Sequence, residues 1–149
     1  MLQVIYVSEV TQPVPEHQLH RMLEKSRANN RARNISGLLV RDGGAFLQVL
    51  EGPSREIEGL MDRIGCDGRH SDLRVLQVAP IAARQFDGSA LAFVDTSRRI
   101  SLPDPYLRLR PALRERTLGR AQARAVLELF GPGSAVVLDN AGHARQPAT

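Results

Sequence analysis

The stretch Gly43-Gly44-Ala45-Phe46-Leu47-Gln48-Val49-Leu50-Glu51-Gly52-Pro53 reads as a turn, a strand, and a second turn leading into a helix. Its middle is apolar on both faces of the pleat, with Phe46 and Leu50 pointing one way and Leu47 and Val49 the other. A strand apolar on both sides is normally central in its sheet and covered on both sides. Gln48 lies in the middle of it, on the Phe46/Leu50 face. A buried amide has two donors and an acceptor to satisfy, and leaving them unpaired costs roughly 1–3 kcal/mol. Something polar must therefore meet Gln48 inside the fold. A hydrogen bond to backbone is the plainest candidate.

The flanking sequence supplies the other elements. Leu2 to Val7 (LQVIYV) is an apolar, β-branched run and reads as the first strand, followed by a turn-prone loop from Thr11 to Pro15. From Glu16, residues Leu19, Met22, Leu23 and Ser26 fall on one helical face, and the helix runs to Asn30 or Arg33. Ile35 to Val40 is the second strand, and Asp42-Gly43-Gly44 a hairpin turn into the Gln48 strand. Pro53 and Ser54 open a second helix with apolar residues Ile57, Leu60, Met61 and Ile64, ending near Gly65 to Gly68. Leu73 to Ala82 is the fourth strand and Ala90 to Val94 a short fifth.

This β-α-β-β-α-β order with one added strand predicts an α+β fold, the ferredoxin-like sandwich. The first and third strands are expected side by side and parallel in mid-sheet, with Tyr6 and Gln48 as neighbours on one face. Right-handed crossovers put both helices on one face. The opposite face, with Ile5, Val7, Leu47 and Val49, needs its own cover. Pro111 to Phe130 can supply it as one or two helices, stopped by Gly131-Pro132-Gly133. The expected division is a core domain over 1–96, a helical extension over 97–133 and a tail over 134–149, disordered beyond Gly142.

Charge narrows the function classes. Residues 1–96 carry 11 basic and 12 acidic side chains, residues 97–149 carry 9 and 4, so the basic character belongs to the tail. Basic helices can meet nucleic acid or a membrane surface. Here aromatics for stacking on bases are scarce, and a solvated helical face is the better reading; no nucleic-acid or membrane partner is expected. The single cysteine, Cys66, suits a reducing compartment, and the cytoplasm is the expected location. No carboxylate pair, Ser-His-Asp set, metal cluster or Gly-rich phosphate loop is present in the sequence, and no catalytic residue is assigned.

Around Gln48 the helical layer can place Ser26, Asn29 and Asn30 from the end of the first helix, and Arg69 and His70 from just after the second. Asn is a poor residue for a helix interior. Two in succession read either as a helix C-cap or, pointing about 100° apart, as two positions along a cleft edge. Carboxamides, a phenol and a guanidinium around an apolar slot suit a flat heterocycle bearing donors and acceptors.

These residues resemble the BLUF family, blue-light sensors that use FAD. The resemblance covers Leu2 to Val94. It rests on Y-x-S (Tyr6, Ser8), S-R-x-N-N (Ser26, Arg27, Asn29, Asn30), I-S-G-L-L (Ile35 to Leu39) and G-x-F-L-Q-V-L-E-G-P (Gly44 to Pro53). It continues through I-x-x-D-x-R-H (Ile64, Asp67, Arg69, His70) and P-I-x-x-R-x-F (Pro80, Ile81, Arg84, Phe86). The resemblance implies FAD as cofactor, Tyr6 as electron and proton donor to the excited flavin, and Gln48 as a bridge from the Tyr6 hydroxyl to the flavin N5/O4 edge. It also implies Asn30 at the N3/O4 side, Asn29 with Arg69 at O2, and Ser26 orienting the glutamine. Rearranged hydrogen bonds at Gln48 would then give a red-shifted signalling state.

The sequence departs from the family's F-x-x-W-x-M, placing Ser89 at the Trp position and Leu91 at the Met position, so any relay would run through Ser89 and Leu91. The expected protein is a short, stand-alone photoreceptor, not an enzyme, that passes its state to another protein and forms a homo-oligomer. A light-insensitive BLUF-like interaction module and an acylphosphatase-like hydrolase are the alternatives.

Overall fold

The structure, a computed structural model, describes residues 1–10, 15–65, 70–87, 89–97, 101–131, 137–138 and 144–145. Strands β1 (Leu2–Val10), β2 (Ser36–Asp42), β3 (Ala45–Gly52), β4 (His70–Pro80) and β5 (Ala92–Asp95) form one sheet in the order β4-β1-β3-β2-β5. Helix α1 (Glu16–Ala32) joins β1 to β2, and α2 (Ser54–Gly65) joins β3 to β4. Helices α3 (Asp104–Arg114) and α4 (Arg120–Phe130) follow, then a two-residue ladder of β6 (Val137–Leu138) and β7 (Ala144–Arg145). Apart from that ladder, the expectation for residues beyond Gly142 lies outside the described residues, as does the Thr11-to-Pro15 loop except for Pro15.

The ferredoxin-like order holds, and β1 and β3 are neighbours as expected. Their direction is not: β1 runs antiparallel to β3 throughout. The crossover through α1 returns β2 in the same sense as β1, and the Gly43-Gly44 hairpin then reverses the chain once more. The parallel pair lies elsewhere, at the sheet edge between β2 and β5.

Parity divides the sheet as the sequence requires. On one face Val4, Tyr6 and Leu50 pack with Ile57 of α2, while Leu39 and Phe93 pack with Leu19 and Leu23 of α1. On the other, Ile5, Val7, Leu47 and Val49 pack with Tyr106, Leu113, Val126, Leu127 and Phe130. Each large apolar side chain buried there contributes roughly 1.5–3 kcal/mol, so the tail helices are an integral second layer. The first begins at Asp104, not near Pro111, because Pro105 sits in its first turn, where a missing N–H costs nothing, and Pro111 is carried inside the helix.

Two buried carboxylates fasten this layer. Asp42, at the end of β2, accepts hydrogen bonds from Tyr106 Oη (2.5 Å), Thr96 Oγ1 (2.9 Å), Arg110 Nε (2.8 Å) and Arg114 Nε (2.6 Å). Glu51, near the end of β3, accepts from Gln3 Nε2 (2.8 Å) and from the backbone N–H of Phe86 (2.7 Å). Gln3 in turn accepts from Arg124 of α4 at 3.0 Å.

Gly37 on β2 marks a close approach: a Cβ there would sit 2.4 Å from the Val49 carbonyl oxygen and 3.1 Å from Leu50 Cδ2. The first neighbour is backbone and cannot turn aside. Gly37→Ala should therefore destabilise the fold by about 1–3 kcal/mol, measured as a lower urea midpoint at unchanged slope; an unchanged midpoint would contradict the close packing of β2 on β3.

Candidate functional site

A cleft of ≈ 300 Å³ opens between α1 and α2, with Tyr6 and Gln48 in its lining. That volume lies at the small end of the range for small-molecule sites. Tyr6 stands directly opposite Gln48 in the β1–β3 register, and Leu39 of β2 flanks Gln48 on its other side. Both polar residues are buried, Tyr6 at 1% and Gln48 at 7% exposure. The Tyr6 hydroxyl donates a hydrogen bond to Gln48 Oε1. With the acceptor end engaged, the Nε2 donors of Gln48 meet no group among the described residues and are left for whatever enters the cleft.

Helix α1 contributes Ser26, Asn29 and Asn30 to the same cleft. The two asparagine side chains do not cap the helix: Arg33 is the C-cap, and its N–H goes to the backbone carbonyls of Asn29 and Asn30. Asn30 is buried and donates from Nδ2 to the Ala90 carbonyl at 2.8 Å, leaving Oδ1 as an uncommitted acceptor. Asn29 is exposed at the cleft edge. The cleft thus offers an amide donor, an amide acceptor, a further carboxamide and a hydroxyl between apolar walls. This set matches the alternating C=O and N–H edge of a flavin ring, so the residues present fit the group that the sequence resemblance implies.

Arg69 lies outside the described residues, and His70 is described only as backbone of β4. Leu91 is 3% exposed and lines the cleft. Ser89 turns away into local structure: its Oγ accepts from the Leu91 N–H and its carbonyl from the Gly37 N–H, each at 3.2 Å. Arg27, quoted above only as part of a motif, is 5% exposed and donates from Nε to the Leu91 carbonyl at 2.8 Å. Together with Asn30 it holds the backbone that enters β5. Arg84, another motif residue, reaches Ser36 Oγ at 2.8 Å and the Asn34 carbonyl at 2.6 Å, which makes it a brace for the start of β2.

Arg33 and Arg63 also line the cleft and were missed. Helical spacing carried a signal for both: Ser26, Asn30 and Arg33 share one stripe of α1, and Leu60, Arg63 and Ile64 one stripe of α2. Among the described residues no group of three or more His, Cys, Asp or Glu side chains could hold a metal ion. No described helix is long and apolar enough to cross a membrane.

Comparison with known proteins gives a family and a set of relatives. The family model for BLUF, sensors of blue-light using FAD, matches residues 1–92. The photoactivated adenylate cyclase subunit beta of Euglena gracilis is 32% identical over 81 residues, which is 54% of this chain and 9% of that protein. Subunit alpha from the same organism is 29% identical over 143 residues, 96% of this chain and 13% of that protein. The chain therefore spans only a small part of the curated relatives it matches. Among solved structures, the dark state of BlrB, a BLUF protein, superposes with a TM-score of 0.68 at 26% identity, covering 83% of this chain and 89% of that one. That coverage extends past residue 92, beyond the family model.

Proposed function

The chain belongs to the BLUF family, sensors of blue light that use FAD, and from that premise we propose that Tyr6 and Gln48 carry its photochemistry and that the tail helices convey the result to a partner protein. The observation that supports this most is the hydrogen bond from the Tyr6 hydroxyl to Gln48 Oε1 in a cleft where the Gln48 Nε2 donors and Asn30 Oδ1 are left uncommitted among the described residues. Bound there, the flavin supplies absorption of blue light and an excited ring that accepts an electron and a proton. Tyr6 is the donor, and its proton already points along the bond to Gln48. A carboxamide has unlike ends, so rotation or tautomerisation of Gln48 exchanges donor for acceptor without changing the shape of the cleft. Asn30, fixed by the Ala90 carbonyl, would hold the ring with Oδ1, Asn29 and Arg69 would help to hold it, and Ser26 would steady Gln48.

We place the sensing unit in residues 1–96 and the output in the helical extension over 97–133, which packs on the reverse face of the strands that carry Tyr6 and Gln48. Ser89 and Leu91 would serve as the relay, through the backbone that Arg27 and Asn30 hold. No catalytic activity, nucleic-acid partner or membrane association is assigned, and the cytoplasm is the proposed location. Leu107, 45% exposed on α3, is apolar tail surface on which a homo-oligomer would form.

The test is to purify the protein with flavin and record difference spectra under blue light. A reversible red shift is expected, and Gln48→Ala should abolish it while retaining flavin. A protein that takes up no flavin would favour a light-insensitive interaction module, and a normal shift in Gln48→Ala would remove Gln48 from the mechanism.

A further inference from the structure

Residues Ser89 to Leu91 lie just ahead of the paired part of β5, whose ladder with β2 begins at Ala92 opposite Leu38. Two side chains of α1 hold their backbone. Asn30 Nδ2 donates to the Ala90 carbonyl and Arg27 Nε to the next one, that of Leu91, each at 2.8 Å. Asn30 and Arg27 are three residues apart on one helical face, so both carbonyls look toward α1. Arg27 is 5% exposed. Its Nη1 donates to Glu24 Oε1 at 2.7 Å, a side chain 54% exposed to solvent. Its Nη2 is buried and has no hydrogen-bond partner among the described residues. Guanidinium donors form a rigid planar fork, and Nε–H and Nη2–H share one edge of it and point the same way. The unpaired donor is therefore on the edge that already grips this segment.

We propose that Arg27 is a positioning residue of the photocycle, taking over the Ala90 carbonyl from Asn30 on illumination, an inference that rests on the flavin reading of the cleft. Asn30 both lines the cleft and bonds this segment. When Gln48 exchanges donor for acceptor at the ring, Asn30 re-forms its own bonds there and loosens its hold on Ala90. The freed carbonyl, one residue from the one on Arg27 Nε, is received by Nη2. A fixed tie between α1 and β5 is the plainer account of Arg27. That tie needs Nε alone, and it leaves a charged donor buried and unpaired, which destabilises the resting arrangement. The hand-over satisfies that donor only in the illuminated state, with a charge-assisted bond in place of a neutral one. Arg27 then prolongs that state.

The full-length chain with flavin bound is illuminated, and its return in the dark is followed by absorbance. Arg27→Lys keeps the charge but not the fork. It should recover about tenfold faster than the unaltered protein, and Arg27→Ala at least as fast, with the size of the red shift unchanged. Light-minus-dark infrared spectra of the unaltered protein, grown with alanine bearing a heavy-isotope carbonyl, should show one alanine carbonyl moving to lower frequency. That band should be missing in Ala90→Gly and in Arg27→Lys. A lower urea midpoint in Arg27→Lys with recovery within about twofold of the unaltered rate would reduce Arg27 to a tie and overturn the hand-over. So would the lack of an Ala90 band in the unaltered protein, and in both cases its red shift would leave the flavin reading intact. No red shift in the unaltered protein would overturn both together.

Discussion

Tyr6→Phe is expected to keep the flavin and lose the reversible red shift. The ring of Tyr6 is 1% exposed and packs with Val4, Leu50 and Ile57, and phenylalanine reproduces that packing atom for atom. What disappears is one hydroxyl, and with it the hydrogen bond that fixes the orientation of Gln48. The stability cost is that of one neutral hydrogen bond, about 0.5–1.5 kcal/mol, because the freed Gln48 oxygen still faces a cleft. The photochemical cost is total, since the side chain no longer has a readily transferred proton. Difference spectra under blue light measure it, with bound flavin checked by absorbance. A full red shift in this variant would refute the role given to Tyr6.

The largest effect on stability is expected at Asp42. Its carboxylate is fully buried and accepts from two hydroxyls and two guanidiniums, which bind α3 and the end of β5 to the β2–β3 hairpin. Asp42→Ala leaves the Tyr106 and Thr96 hydroxyls without their acceptor and two cations without their counter-charge. Breaking a buried pair from one side costs about 3–5 kcal/mol. Arg114 is half exposed and water will repay part of its share, so the lower end of that range is expected. The pH dependence follows from the same contacts. Burial raises the acid's pKa, but the hydrogen bonds from Tyr106, Arg114, Thr96 and Arg110 outweigh it and hold the group below its ordinary 3.8. A depressed carboxyl contributes stability that is fully present above the unfolded value and is lost as pH falls through the folded one. Urea unfolding of the unaltered protein should therefore weaken steeply below about pH 4, and Asp42→Asn should be less stable at neutral pH with a flatter acid limb. Equal acid limbs would show that Asp42 does not govern this transition.

The layers of this fold were legible in the sequence because period-two patterning reports which side of a sheet each residue faces. With the element order, which sets the first strand beside the third, that parity put Tyr6 with Gln48 and sent Leu47 and Val49 to the other face. Strand direction was misread, since residue pattern carries no polarity and the answer needed the crossover and hairpin counted in turn. The Ser26, Asn29 and Asn30 stripe is legible in helical spacing; Arg33 continues it into the cleft, but at the C-cap, where the periodic pattern stops. The Asp42–Tyr106 contact could not be read at all. Its partners are 64 residues apart, and neither lies in a motif. Arg27 does lie in a motif, but its acceptor is a backbone carbonyl and so leaves no mark on the sequence at Leu91.

The antiparallel ladder between β1 and β3 has a consequence for how a state at Gln48 travels. Leu47 and Val49 flank Gln48 along the chain and are themselves embedded among the side chains of the tail helices. The partition between the cleft and the tail helices is therefore a single polypeptide thickness. A displacement of the Gln48 main chain must displace Leu47 and Val49 with it, and so press on the helices behind the sheet, in a chain that has no indole at all.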